Sequence, residues 1–402
     1  YMKKLLLGGL CLATLATACA PQVADNEYLI TGTVTEVPDS ATVRLLAQNG
    51  NLLKETACDT IIGGRFELRD TLSSLQQLSL MVIGEGFPNY FLNVWVAPGQ
   101  HIEVSGNDKL FPLWNVKSDI KEQQEENRFV DYTREQKQQM LAYNTQETIF
   151  FTQMFSKEHR EDESFQKTIW NKVDSVRELS APFEFESARR EVELMKTTPV
   201  SLPWLDRLES NALMVKVAAN DTTRQAYAAL AEPLKKLYAA LPDSIKQTST
   251  AQRAYHSLFP PKKVNVGDDM ADGALYDPDG KEHRLAEFKD KYILLDFWSR
   301  GCGPCIASIP ELEEVAQMYA DRLAVVSISI DTETMWKQYL KEKGLKGIQL
   351  NELRNDGGGL KAVYGVQGIP HYVLIAPDGK VKDTWAGYGK GVIKDNLKAH
   401  IK

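Results

Sequence analysis

At 402 residues, with 43% hydrophobic and 25% charged residues, the chain is too long for a single core and has an ordinary globular composition, which favours two or three domains. A formal net charge of −7 argues against nucleic acid as a partner. Five cysteines in a chain of this length are too few for a disulfide-built scaffold.

Lys3-Lys4, followed by an uncharged apolar stretch from Leu5 to Ala18, reads as the n-region and h-region of a secretory signal over residues 1–18. The stretch is too short to span a bilayer comfortably. Ala16-Thr17-Ala18-Cys19 fits ordinary A-x-A cleavage after Ala18. It also resembles a bacterial lipobox in which Cys19 is lipidated, with Ala16 where Leu is usual. On the lipobox reading no Asp follows Cys19, which implies an outer-membrane anchor facing the periplasm, and residues 19–27 are a polar tether.

Residues 28–115 are strand-like. Apolar-polar runs at Leu29–Val34, Thr42–Leu46, Arg65–Leu68, Leu78–Ile83, Phe91–Val96 and His101–Val104 are separated by turn signals such as Asn49-Gly50, Gly63-Gly64 and Pro98-Gly99. The spacing predicts a small β-sandwich or open barrel without a catalytic constellation. Cys58 reads as a small buried hydrophobe on a strand, with a reactive or resolving thiol as the alternative.

Over residues 116–259 the period becomes helical. Phe165, Ile169, Val173 and Val176 fall on one face, and Pro182, Pro199, Pro203, Pro233 and Pro242 are expected to divide the region into several helices. Lys121–Met140, rich in Gln, Glu, Lys and Arg, reads as a solvated helix or mobile connector, or else a partner-binding arm. Phe259-Pro260-Pro261-Lys262-Lys263 is a linker, because two prolines cannot continue a helix. From 260 to 402 strands (292–298, 323–330, 371–375, 380–385) alternate with helices (303–319, 334–343, 358–364, 391–400), the signature of an α/β domain with a central sheet. The fold expected is therefore multidomain: an N-terminal β-sandwich-like domain, an α-helical middle region and a C-terminal α/β domain.

The chemistry concentrates at Ser299-Arg300-Gly301-Cys302-Gly303-Pro304-Cys305, where an apolar strand gives way to a helix. Two cysteines so spaced form a thiol–disulfide exchange site. Unpaired N–H groups and the helix dipole favour the Cys302 thiolate. Cys302 would attack a disulfide, and Cys305, less than one turn on, would resolve the mixed disulfide. Pro304 fits the first turn, where its missing N–H has no helical partner. No second C-x-x-C or H-x-x-x-H supplies further ligands, so neither a metal nor a cofactor is implied. A peroxidase is disfavoured because Leu295 stands where its P-x-x-x-T-x-x-C pattern needs proline. Asp296 interrupts the apolar strand and is expected to be desolvated, with a raised pKa.

Asp296, the Cys302-Gly303-Pro304-Cys305 tetrad, Pro310 and Gly368-Ile369-Pro370 together resemble the thioredoxin fold and, within it, the exported TlpA/ResA-like thiol–disulfide oxidoreductases of the redoxin superfamily. The resemblance covers about a third of the chain. It implies that Asp296 takes the proton from Cys305, that Pro370 is cis, and that the backbone of Ile369 pairs with an extended client segment. It also implies client proteins with disulfides and a membrane thiol reductant as electron donor. The Gly-Pro pair between the cysteines resembles reducing members, with an oxidase or isomerase, or a non-enzymatic binding lipoprotein, as alternatives. Three positions depart from the pattern: Gly301 where Trp is usual, which suggests wider access to the client; Ser308 where Glu is frequent; and His371 where Thr is common. His371 would either tune charge near neutral pH or bond to backbone.

Overall fold

The computed structural model describes residues 22–49, 52–219 and 221–401; the signal-like segment and Cys19 lie outside them. Eight strands build the N-terminal domain: β1 (Glu27–Val34), β2 (Thr42–Asn49), β3 (Leu52–Thr60), β4 (Arg65–Thr71), β5 (Gln76–Ile83), β6 (Leu92–Val96), β7 (Gln100–Gly106) and β8 (Asn115–Lys117). They form two four-stranded sheets ordered β4-β1-β7-β8 and β3-β2-β5-β6. Alternating burial along β4 and β5 turns one face of each inward, onto a core that includes Ile30, Val43, Leu45, Leu80, Val94 and Phe111.

β3 is an edge strand and has no clean apolar alternation, which is why its run did not stand out in the sequence. Cys58 lies on it and is exposed, contrary to the expectation of a buried hydrophobe. Its cross-strand partner is Arg44, itself exposed, so the register puts the thiol on the outer face.

Seven helices follow: α1 (Lys121–Tyr132), α2 (Arg134–Met154), α3 (Glu163–Met195), α4 (Leu202–Ala218), α5 (Ala231–Ala239), α6 (Asp243–Lys246) and α7 (Ser249–Leu258). α1 is not the solvated connector that its composition suggests. Gln123, Glu126 and Phe129 are buried, the Gln123 side chain accepts the Trp95 N–H of β6 at 2.7 Å, and Glu126 receives both guanidinium nitrogens of Arg207 in α4. Polar residues here serve as buried partners. Ile169, Val173 and Val176 share the buried face of α3, but Pro182 lies inside that 33-residue helix instead of ending it. Proline removes only one helical N–H, and the antiparallel pairing of α2 with α3, through Lys137–Glu191 and Glu147–Arg177, supports the helix on both sides of it.

The C-terminal domain contains β9 (Leu275–Tyr276), β10 (Glu282–His283), β11 (Tyr292–Trp298), α8 (Gly303–Met318), β12 (Leu323–Ser329), α9 (Glu333–Lys343), β13 (Ile348–Asn351), α10 (Gly359–Val363), β14 (His371–Ile375), β15 (Val381–Ala386) and α11 (Val392–His400). Its seven-stranded sheet runs β10-β9-β13-β12-β11-β14-β15. β11 pairs parallel with β12 and antiparallel with β14, and Ile293 to Trp298 are all buried. A strand covered on both faces reads as an apolar run, and β11 is that strand. One face packs Leu294, Tyr372 and Leu374 against Leu312 and Val315 of α8 and Ile393 and Leu397 of α11. Glu311 of α8 accepts the N–H groups of Gly391 and Lys394 and the Tyr388 hydroxyl, tying the start of α11 to α8.

Candidate active site

β11 delivers the chain to the start of α8, where Cys302 is the N-cap. Its Sγ accepts the N–H of Cys305 at 3.2 Å, satisfying one of the donors that every helix N-terminus leaves open. No acidic residue lies in the first turn of α8, so nothing there opposes the dipole's stabilisation of a Cys302 thiolate. The cysteines form a disulfide. Cys302 is half-buried and Cys305 is 1% exposed, while Gly301, Gly303 and Pro304 are exposed around them. The site is thus asymmetric, with one sulfur reachable and the other covered.

Beneath the sulfurs lies a cluster of Trp298, Trp336 and Leu340, joined by Ile306, Tyr339 and Ile369. Gly301 leaves the outer side without an indole, yet Trp298 and the fully buried Trp336 of α9 supply aromatic packing from within. Trp336 was not a candidate in the sequence, where it is one apolar position of an amphipathic helix.

Asp296 is 3% exposed, in the middle of β11. Ser327 of β12 donates to its Oδ2 at 3.0 Å, and Oδ1 has no hydrogen-bond partner among the described residues. Burial pushes its pKa up to about 7, against the smaller opposing effect of the Ser327 bond. Such a group exchanges a proton readily near neutrality. Its antiparallel neighbour is Tyr372, buried on β14, whose pKa is raised by burial and then by the Asp296 charge. Ser308 is fully buried and donates to the Cys305 carbonyl at 2.7 Å. A serine hydroxyl occupied in this way is no substitute for the glutamate of the pattern, and Asp296 is the one acidic residue on β11.

The Ile369-Pro370 bond is cis, and the Cys302 Sγ lies 3.6 Å from the Ile369 carbonyl oxygen. The Pro370 carbonyl accepts from Gly387 N–H, which anchors the loop to the sheet edge. Cys302, Cys305 and Ile369 therefore lie together, with Pro370 buried next to Ile369 and Gly301 exposed next to Cys302. His371 departs from both sequence expectations. It hydrogen-bonds the Thr384 hydroxyl on β15 rather than backbone, and burial lowers its pKa, which leaves it uncharged at neutral pH.

One group at the site was missed altogether. Asp331, 6% exposed and just beyond β12, accepts the Ser299 hydroxyl at 2.7 Å, the Arg300 N–H at 2.8 Å and the Ser329 hydroxyl at 3.2 Å; its own carbonyl accepts from Asn351. It pins the loop that ends at Cys302. The available signal was its place at the carboxyl end of a parallel strand, where α/β sheets gather their functional groups.

The Redoxin family model matches residues 265–400. The thiol-disulfide oxidoreductase ResA of Bacillus thuringiensis subsp. konkukian (strain 97-27) is 30% identical over 144 residues, covering 35% of this chain and 79% of that protein. The chain belongs to the ResA-like thiol–disulfide oxidoreductases. ResA of Geobacillus thermodenitrificans (strain NG80-2) is 27% identical over 150 residues, covering 37% of this chain and 83% of that one. The crystal structure of the thioredoxin domain of a thiol-disulfide oxidoreductase from Bacteroides vulgatus is 26% identical, spans 34% of this chain and 99% of that one, and has a TM-score of 0.31. The Redoxin match stops short of the sandwich and the helices, so the enzyme is a ResA-like domain carried behind two others.

Proposed function

We propose that this oxidoreductase reduces disulfides of client proteins in the cell envelope, held there through Cys19 on the periplasmic side of the outer membrane and recharged by a membrane thiol reductant. The observation that carries the reading is the unequal pair: an accessible Cys302 at a helix N-terminus, 3.6 Å from the Ile369 carbonyl, with Cys305 buried behind it.

In the reduced enzyme the Cys302 thiolate attacks one sulfur of a client disulfide, forming a mixed disulfide and expelling the other client sulfur as a thiolate. An extended client segment lies along Ile369 and is held by backbone hydrogen bonds. Asp296 accepts the Cys305 proton. The Cys305 thiolate then attacks the Cys302 Sγ, releasing the second client thiolate and leaving the Cys302–Cys305 disulfide. Two electrons have passed to the client, and the donor returns them.

The test has two arms. Wild-type enzyme should reduce insulin disulfides and Cys302→Ser should not. Cys305→Ser expressed in the native envelope should accumulate mixed disulfides with clients. Equal insulin reduction by Cys302→Ser, or capture by Cys305→Ser no greater than by Cys302→Ser, would overturn the proposal. A reduction potential at or above that of glutathione would reassign the direction to oxidation.

A further inference from the structure

Asp296 and Tyr372 are directly opposed partners on antiparallel β11 and β14. Their side chains therefore leave the sheet on the same face, the one covered by α8 and α11. That layer is otherwise apolar, built from residues such as Leu294, Leu374, Leu312 and Ile393.

Each member of the pair ends in an atom with nothing to bond. Asp296 Oδ1 and the Tyr372 hydroxyl oxygen are both buried, and neither has a hydrogen-bond partner among the described residues. Buried polar groups in native proteins are nearly always paired, and here an unpaired acceptor and an unpaired donor share one cross-strand position. The phenol feels the carboxylate: after burial, the Asp296 charge does most to raise the Tyr372 pKa, and Ser308 of α8 opposes it. The hydroxyl thus keeps its proton wherever Asp296 ionises, and it is a donor. Tyr372 stacks on Trp385 of β15 with ring centroids 5.2 Å apart, which fixes the plane of the ring.

The two oxygens of Asp296 are not equivalent. Ser327 donates to Oδ2 at 3.0 Å, so Oδ2 is an acceptor in either state and the carboxyl proton belongs on Oδ1. A phenol beside Oδ1 can accept from the protonated acid and donate to the ionised one. The second bond is charge-assisted and the stronger, so the net effect favours the carboxylate.

Other titratable groups around the pair are engaged elsewhere. The buried ones of α8 are Cys305, in the disulfide, and Glu311, which accepts Tyr388, Gly391 and Lys394. Asp383 of β15 faces His400 of α11 at 3.3 Å, and β12 offers only Ser327.

We propose that Tyr372 is a positioning residue for the resolving step: its hydroxyl bonds Asp296 Oδ1, directly or through one buried water, and stabilises the carboxylate that takes the Cys305 proton. The inference rests on Asp296 as the base of the proposed reaction.

The test is Tyr372→Phe, which removes one oxygen and keeps the ring, read in two ways on the full chain. Carbon-13 NMR of labelled aspartate, assigned with Asp296→Asn, should place the Asp296 pKa about one pH unit higher than in wild type, as expected for one lost charge-assisted bond. Stopped-flow reaction of the reduced enzyme with dithiobis(nitrobenzoate) releases one coloured thiolate when Cys302 attacks and a second when Cys305 resolves. The midpoint of the pH profile of the second phase should rise by the same amount, with the rate at about pH 6 falling about tenfold and the alkaline plateau within about twofold. The first phase should not change. Tyr388→Phe, which frees Glu311 instead, should leave the Asp296 pKa where it is. An unchanged or lowered Asp296 pKa in Tyr372→Phe, an unmoved midpoint while Asp296→Asn still slows the second phase, or an equal rise in Tyr388→Phe would overturn the proposal. Resolution by Asp296→Asn with the wild-type rate and profile would instead overturn the base assignment on which it rests.

Discussion

Asp296 holds stability and chemistry in opposition. Its carboxyl is buried with a single hydrogen bond and raised to about 7 from the ordinary 3.8. The folded protein holds this proton more tightly than the unfolded chain, so stability falls as pH rises from 3.8 to about 7 and is level above that. A shift of this size corresponds to up to about 4 kcal/mol. Urea denaturation of the oxidised protein should therefore find Asp296→Asn more stable than wild type by up to about 4 kcal/mol at pH 8 and little changed at pH 4. The same variant should resolve the mixed disulfide at least about tenfold more slowly at neutral pH, the contribution of a positioned base. Equal stability at pH 8 would show that the carboxyl is not desolvated, and equal resolution would remove it from proton transfer. An acid interrupting an apolar strand was legible in the sequence. The outward thiol of Cys58 was not, since strand register and edge position are set by pairing with β2.

At the scale of elements, the site depends on the turn between β11 and α8. Asp331 reaches it from the end of the neighbouring strand and collects Ser299 Oγ and Arg300 N–H. Asp331→Ala leaves the buried Ser299 hydroxyl and the part-buried Arg300 N–H without this acceptor and should cost about 2–4 kcal/mol. It should also lower insulin-reduction kcat/KM about tenfold, because the turn that aims Cys302 loses its anchor. Asp331→Asn retains one acceptor oxygen and should fall between wild type and alanine in both measurements. Identical kcat/KM in all three would confine Asp331 to a structural role. Helix α3 shows the opposite limit on reading elements from sequence. Pro182 carries a local signal to stop, and the pairing with α2 overrides it. α1 misleads in the same way, because Gln123 and Glu126 look solvent-seeking until Trp95 and Arg207 are seen to meet them.

For the whole molecule, the redox domain is joined to the helices by more than the linker at 259–263. Arg253 of α7 forks onto Glu209 of α4 at 2.6 and 2.7 Å and donates to the Asn355 carbonyl of the redox domain at 3.3 Å. Arg253→Ala should loosen this contact while leaving the cysteines untouched. We expect faster proteolysis within 259–263 and a calorimetric transition that separates into two, with insulin reduction within about twofold of wild type. A single unchanged transition would mean that the domains are coupled elsewhere. The sequence by itself determined the C-x-x-C pair, the acid within the apolar strand and the succession of β-rich, helical and α/β regions. These rest on spacing and periodicity, which are local properties of the chain. The Ile369-Pro370 turn came with the family resemblance that Gly368-Ile369-Pro370 helps to carry. Only the tertiary structure decided that Asp331 anchors the loop, that Trp336 packs under the sulfurs, that Cys58 faces solvent, and that Tyr372 stands opposite Asp296. Each of those depends on groups far apart in sequence, brought together by strand pairing and helix packing that no local pattern encodes.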